Sequence, residues 1–185
     1  MEAKRQVPVD MGELEIALQT DAMEMQAYLD LETGQVVWVM DEFRRKWEAI
    51  WDELLEGEDP LEALEAYLAE QDDIIITWQK DEIRQAARVE EGYMQRYLSI
   101  DPEPYSDYND MERFIWRVED DGIAAELENA IRGRGAFRYF KDVLARYPEV
   151  REAWYAFKDS RIEMRVHDWL EHNAIEPIDS QSKDP

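Results

Sequence analysis

The chain has 185 residues, with 45 Asp or Glu against 21 Lys or Arg, a net charge of −24 at pH 7 and no Cys. The absence of Cys excludes disulfide frameworks and thiolate metal sites, the acidity disfavours nucleic-acid and membrane surfaces, and no apolar run reaches the roughly 18 residues of a membrane helix. Its 7 Trp, 9 Tyr and 5 Phe are enough for the core of one domain, so we expect a folded cytoplasmic protein without a cofactor.

The first forty residues predict a helix followed by a β-hairpin. Asp10 is expected to cap a short helix over residues 9–18, since its carboxylate can accept hydrogen bonds from free N–H groups of the first turn. An alternation of apolar and polar side chains then predicts a hairpin over about 23–40. Gly34 is the expected turn residue, because it adopts the left-handed conformation without a Cβ penalty.

A strongly acidic segment follows the hairpin. Residues 41–94 contain 17 acids and six bases. The apolar spacing predicts helices that begin near Asp41, Pro60 and Lys80, the first of them capped by Asp41. Residues 74–78 are β-branched enough for a strand, but so short an apolar run fits a buried helix equally well.

The remaining patterns define the fold class. A strand is predicted over residues 97–100, a helical bundle from about 106 to 173, and a disordered polar tail over 176–185. The expected class is therefore α+β, with a small antiparallel sheet built on the hairpin and a mostly helical C-terminal half. We expect a single domain over 1–175 that contains an acidic, mainly helical insertion at about 41–95.

Positive charge is concentrated between residues 132 and 165, which contain nine bases and five acids. A Gly-Arg-Gly turn there precedes a helix, whose free N–H groups and dipole favour anions. The structural alternative is that Gly133 ends a helix in the left-handed conformation and Gly135 permits close helix packing. The candidate binding residues are Arg134, Arg138, Lys141, Arg151, Lys158 and Arg161.

Arg161 falls in the middle of the apolar stripe of the last predicted helix, so it should be partly buried. A buried cation needs a partner, and this one either pairs with an internal carboxylate or binds an anionic ligand. The internal candidates are Asp110, Glu112 and Asp142.

A row of cations follows the same helix. Arg151, Lys158 and Arg165 repeat every seven residues beside aromatic side chains. That pattern suits single-stranded nucleic acid or an acidic peptide, but the same cations can also pair with the acidic segments of this chain, which the overall charge favours.

Several motifs resemble one bacterial family. The sequence GRGAFRYFKD at 133–142, followed by WYAF at 154–157, closely resembles the signature GRGAFRxFK followed by WYxF of a bacterial uncharacterised protein family. The hairpin residues 28–36 also fit its pattern. The resemblance implies a bacterial cytosolic α+β domain and implies no activity or catalytic residue. The residues that we interpret as structural are Gly34, Gly133, Gly135, Phe137, Phe140, Trp154, Tyr155 and Phe157.

No enzymatic motif stands out. The chain has two His and lacks a nucleophile elbow, a Walker loop and a complete dinucleotide fingerprint, so we assign no catalytic residue and no metal site. We expect a non-enzymatic protein-interaction or regulatory module that binds a protein partner through an acidic face, a basic groove or both. The alternative is a phosphate, nucleotide or nucleic-acid binding module on the basic turn and last helix, which the net charge disfavours.

Overall fold

The chain forms two compact units. The computed structural model describes residues 4–20, 23–54, 59–71, 74–104 and 106–178. Unit 1 comprises residues 1–101 and 174–185, and unit 2 comprises residues 102–173. Unit 1 carries 10 Lys or Arg against 29 Asp or Glu, whereas unit 2 carries 11 against 16. The single domain expected over 1–175 stays a prediction.

Unit 1 is built on two small sheets. Strand β2 lies between β3 and β4 in a three-stranded antiparallel sheet, with Met25 opposite Met40 and Ala27 opposite Ile100, while β1 and β5 pair in parallel. The predicted hairpin and the α+β class are confirmed. The elements of this unit are β1 (Arg5–Val7), α1 (Met11–Gln19), β2 (Met25–Asp30), β3 (Val36–Met40), α2 (Asp41–Trp51), α3 (Pro60–Glu70), α4 (Thr77–Glu91), β4 (Tyr97–Ile100) and β5 (Ile175–Pro177).

The hairpin turn is fixed by its backbone. Gly34 has a φ of 74°, and its N–H donates to the Asp30 carbonyl at 2.7 Å. A Cβ at this position would lie 1.9 Å from the carbonyl oxygen of Pro8, so the turn needs glycine both for its conformation and for space. The Asp30 carboxylate accepts the Glu32 N–H at 2.9 Å, which closes the same turn from its side chain.

Helices α2, α3 and α4 pack with the hairpin around an apolar core that includes Phe43, Trp47, Leu64, Leu68 and Ile83. These side chains follow the three- and four-residue spacing of the sequence, so each helix buries one stripe. The core explains why an acidic segment folds, since the carboxylates of its described residues are exposed or partly exposed outside the core.

Two local predictions in unit 1 differ from the structure. Asp41 is the first residue of α2 rather than its cap: Met40 is the N-cap, and the Asp41 carboxylate pairs with Arg44 at 3.0 Å. Residues 74–78 form neither of the two alternatives, a strand or a buried helix: residues 74–76 precede α4, which begins at Thr77, and Ile74 and Trp78 are 76% and 53% exposed. The cap at Asp10 is confirmed, since its carboxylate accepts the Glu13 N–H at 3.1 Å.

Unit 2 is entirely helical in its described part, which confirms the helical C-terminal half. Its helices are α5 (Ser106–Ile115), α6 (Asp121–Ala130), α7 (Ala136–Leu144) and α8 (Pro148–His172). Asp120 caps α6 by accepting the N–H groups of Gly122 and Ile123, and Pro148 occupies the first turn of α8. Among the described residues, no helix combines the length and the apolarity that a membrane crossing requires.

The predicted polar tail lies only partly within the described chain. Its first two residues, Glu176 and Pro177, belong to β5, where Glu176 is the register partner of Gln6. Residues 179–185 lie outside the described residues.

Candidate functional site

Three basic side chains of α8 converge on one carboxylate, Asp110, which is 0% exposed on α5. Its Oδ1 accepts a hydrogen bond from Arg161 Nε at 2.9 Å and another from Arg165 Nη2 at 2.8 Å, both from α8. The two arginine side chains are 12% and 10% exposed. A buried carboxylate shared by two guanidinium groups therefore fastens α5 to α8.

A third cation and two exposed carboxylates complete this cluster. Lys158 Nζ donates to Asp107 and lies 3.7 Å from Asp110 Oδ2, which has no hydrogen-bond partner in the described chain. Arg165 Nε also lies 3.5 Å from the Glu103 carboxylate. Three cations face three carboxylates, so the cluster leaves little net charge for an external ligand.

Internal pairing decides how much of the last helix is available for binding. Arg161 is partly buried and pairs with Asp110, one of the three carboxylates expected for it. Lys158 is engaged in the same cluster, and Arg151 lies 3.4 Å from the exposed carboxylate of its neighbour Glu152. The structure thus gives three of the six candidate binding residues an internal carboxylate, and their role in ligand binding stays a prediction.

The aromatic motif residues divide into a buried and an exposed group. Phe140, Trp154 and Phe157 are buried with Phe114, and the rings of Phe140 and Trp154 lie 4.9 Å apart in an edge-on arrangement. Edge-on contacts of this kind add to the stability that their buried area provides. Phe137 and Tyr155, in contrast, are 48% and 54% exposed.

The Gly-Arg-Gly turn has two left-handed residues, Gly133 with a φ of 86° and Gly135 with a φ of 85°. Helix α6 ends with Ile131 as its C-cap, so Gly133 follows the cap by two residues, and Gly135 is itself the N-cap of α7. A Cβ on Gly135 would lie 3.1 Å from the Tyr139 ring. The glycine therefore makes room for a side chain of its own helix and not, as expected, for a neighbouring helix.

An exposed basic face follows this turn. Phe137, Arg138 and Lys141 lie within about one third of the circumference of α7 at about 100° per residue, and Arg134 immediately precedes the helix. We call these four residues the α7 face. In the described chain the side chains of Arg134 and Lys141 have no hydrogen bond or ion pair, and the Arg138 guanidinium lies 4.9 Å from the Tyr139 ring centre.

The distribution of ion pairs singles out the α7 face. Unit 2 has eleven Lys or Arg. Six of them form an ion pair with a carboxylate: Arg132, Arg146, Arg151, Lys158, Arg161 and Arg165. Five have no such partner among the described residues: Arg113, Arg117, Arg134, Arg138 and Lys141. Three of these five belong to the α7 face, so unpaired positive charge is concentrated there.

The end of α7 is held by a different contact. Arg146 Nη2 lies 2.7 Å from the Glu126 carboxylate, and the Tyr147 hydroxyl donates to the same carboxylate at 3.1 Å. The hydrogen bond to Glu126, together with its negative charge, raises the pKa of the Tyr147 hydroxyl above its ordinary value. These contacts connect α6 to the turn between α7 and α8.

Sequence reasoning missed the second arginine on Asp110 and a groove between α5 and α6. Arg165 follows Arg161 by one helical turn, so spacing could have indicated that both reach one carboxylate. The groove contains Trp116, which is 85% exposed. No pattern indicated this exposure, since tryptophan at helical spacing ordinarily predicts a core residue.

Comparison with known proteins identifies a family. Residues 67–185 match the model of the uncharacterised protein family UPF0158. The chain is 30% identical over 179 residues to the UPF0158 protein PA5073 of Pseudomonas aeruginosa, and the alignment covers 96% of this chain and 91% of that protein. No solved structure matches the chain significantly.

Proposed function

The chain belongs to the uncharacterised protein family UPF0158, and on that premise we propose that it is a protein-interaction module whose α7 face binds an acidic segment of a partner protein. One observation carries the proposal. Arg134, Arg138 and Lys141 have no carboxylate partner in the described chain, although the protein contains 45 acids and 21 bases.

The composition of the α7 face suits protein recognition. Phe137 lies in the sequence between the Gly-Arg-Gly turn and Arg138, and 48% of its surface is exposed. Arginine and aromatic side chains are enriched where interfaces concentrate their binding energy, because they combine large contact area with directed hydrogen bonds. A carboxylate-rich segment with apolar side chains would pair with the cations and cover the Phe137 ring.

A protein segment fits this face better than nucleic acid does. Nucleic-acid binding rests on an extended basic track that neutralises many phosphates, whereas the α7 face has three cations in a unit with 16 acids. Two further candidate cations, Lys158 and Arg161, already contact Asp107 and Asp110. The surrounding negative charge repels a polyanion at long range, while a short acidic segment approaches only the face itself.

The proposal is tested with a defined probe. A fluorescein-labelled peptide of alternating Glu and Leu would be titrated at low salt, and binding would be followed by fluorescence anisotropy. We expect the triple variant Arg134→Glu, Arg138→Glu, Lys141→Glu to weaken binding at least about tenfold, because each reversal turns an attraction into a repulsion. Binding should also weaken as salt screens the charges.

A matched control separates local recognition from overall charge. The variant Arg45→Glu, Arg88→Glu, Arg113→Glu changes the net charge by the same amount at exposed positions on α2, α4 and α5. It should bind the peptide about as well as the native protein. Equal losses in both variants, or tighter binding of a single-stranded oligonucleotide of the same charge, would contradict the proposal.

A further inference from the structure

Unit 2 has a second candidate binding surface, a groove of about 480 Å³ between α5 and α6. Helix α6 contributes Asp121, Ala124, Ala125 and Glu128, which lie at the i, i+3, i+4 and i+7 positions of one face. Side chains of α5 and the following turn form the other wall. They are Glu112, Ile115, Trp116 and Val118. Side chains of both helices thus line one open groove.

The floor of the groove is apolar and one wall is unusually exposed. Ile115 and Ile131 are buried beneath it, and Trp116 stands at its edge with 85% of its surface exposed. An isolated exposed apolar residue is ordinary, but an indole beside an apolar floor offers a large contact area to a partner. Tryptophan is also among the side chains that contribute most to interfaces.

The charge of the rim defines the chemistry of the occupant. Glu112 and Asp121 have no ion pair in the described part of the chain, and Glu128 pairs with the exposed Arg132 at 3.0 Å. Three carboxylates around an apolar floor complement Lys and Arg side chains on either side of an apolar stripe. A neutral or acidic helix would bury part of this rim and leave its carboxylates without a positively charged partner.

We propose that this groove binds a cationic amphipathic helix of another protein, with the apolar stripe of that helix on the groove floor and its Lys or Arg residues on the carboxylate rim. A second copy of the chain is a poorer occupant, because each copy carries a net charge of −24 and the copies repel. The site is separate from the α7 face and takes a partner of opposite charge.

The test uses a synthetic helical peptide with Leu at every third or fourth position and Lys elsewhere. Its binding would be measured by isothermal titration calorimetry. We expect Trp116→Ala and the pair Glu112→Lys, Asp121→Lys each to weaken binding at least about tenfold, since one removes the anchor and the other reverses the rim. Circular dichroism would verify that both variants stay folded.

Matched controls decide whether the groove is responsible. The pair Asp159→Lys, Glu163→Lys makes the same charge change on exposed positions of α8, and Trp78→Ala removes an exposed indole from unit 1. Both should bind about as well as the native protein. A peptide of the same composition in scrambled order should bind at least about tenfold more weakly, because it has no apolar stripe.

Three results would overturn the inference: no binding at low salt, equal binding of the ordered and scrambled peptides, or equal losses in groove and control variants. A fourth would be self-association of the native protein in sedimentation velocity that Trp116→Ala abolishes, which would make a second copy the occupant. None of these results bears on the α7 face, because that face is tested with an acidic peptide and different variants.

Discussion

Each unit buries one carboxylate in its described part, and the two are held differently. Asp30 in unit 1 accepts a backbone N–H from its own turn and two hydrogen bonds from Arg96, at 3.0 and 2.7 Å. Arg96 remains 40% exposed. Asp110 in unit 2 accepts no backbone N–H from the described residues and is held by Arg161 and Arg165 of α8. The first carboxylate shapes a local turn, whereas the second joins two helices far apart in sequence.

The two arrangements predict different losses of stability when each carboxylate is removed. Loss of Asp30 would leave one cation that water already reaches. Loss of Asp110 would leave Arg161 and Arg165 with about a tenth of their side chains exposed and no carboxylate at the centre of the cluster. Burial of the partners, more than the number of ion pairs, therefore sets the expected cost.

The sharpest test of this comparison is Asp110→Ala. We expect the free energy of unfolding of unit 2 to fall by about 3 to 5 kcal/mol, because two largely buried guanidinium groups lose their shared partner. Urea denaturation would measure the loss, and hydrogen exchange would show it in the amides of α5 and α8.

Asp107→Ala is the matched control. Asp107 contacts Lys158 but is itself 52% exposed, so its removal should change the free energy of unfolding by less than about 1 kcal/mol. Equal losses in the two variants would show that burial is not what distinguishes these carboxylates.

A second test compares the glycine turns of the two units. Gly34→Ala should destabilise unit 1 by at least about 2 kcal/mol, because it adds left-handed strain and a Cβ that would meet the Pro8 backbone. Gly133 also has a positive φ, but no atom lies within 4 Å of an added Cβ. We therefore expect Gly133→Ala to lower the free energy of unfolding by only about 1 to 2 kcal/mol. Urea unfolding of both variants measures the difference, and a larger cost at Gly133 would contradict it.

The third test uses pH. Burial raises the pKa of Asp30, but hydrogen bonds from Arg96, the Glu32 N–H and Thr33, with the charge of Arg96, outweigh it and hold the pKa below its ordinary value. A carboxylate with a lowered pKa stabilises the fold above the unfolded-state value of about 4, and this contribution is lost as pH falls below it.

The free energy of unfolding of unit 1 should therefore fall below about pH 4. In Asp30→Asn this fall should be smaller, because the variant has no carboxylate to protonate at this position. The measurement is the urea midpoint of both proteins between pH 6 and pH 3. Identical slopes in the two proteins would show that Asp30 does not contribute to acid sensitivity.

The smallest effect is expected at the surface of unit 1. Arg84 makes two hydrogen bonds to the Glu65 carboxylate, at 2.7 and 2.9 Å, and so connects α3 to α4. Hydrogen bonds from Arg84 lower the pKa of Glu65, but Glu65 is 53% exposed. We expect Arg84→Ala to cost about 0.2 to 1 kcal/mol and the cost to shrink at high salt, as urea unfolding at two salt concentrations would show.

The sequence predicted features that rest on local chemistry. The hairpin with Gly34 and the cap at Asp10 follow from short-range rules, and both are confirmed. The partial burial of Arg161 followed from helical spacing, and its pairing with Asp110 agrees with the expectation that a buried cation needs a partner. The family resemblance is likewise confirmed.

Features that depend on distant partners were not predictable. Strand β1 pairs with β5, and neither segment has a distinctive pattern of its own. Residues 74–78 have a β-branched composition, but α4 begins within them, at Thr77. The groove beside Trp116 exists only because α5 and α6 place two helix faces side by side, which spacing within one helix does not reveal.

The pairing of β1 with β5 has a consequence for the order in which the chain folds during synthesis. Gln6 is the register partner of Glu176, 170 residues later. β1 is therefore translated early and waits for its partner until all of unit 2 has been made. Since pairing across so long a loop carries a larger closure entropy than local contacts do, we expect the small parallel sheet to form last, after β5 has been synthesised.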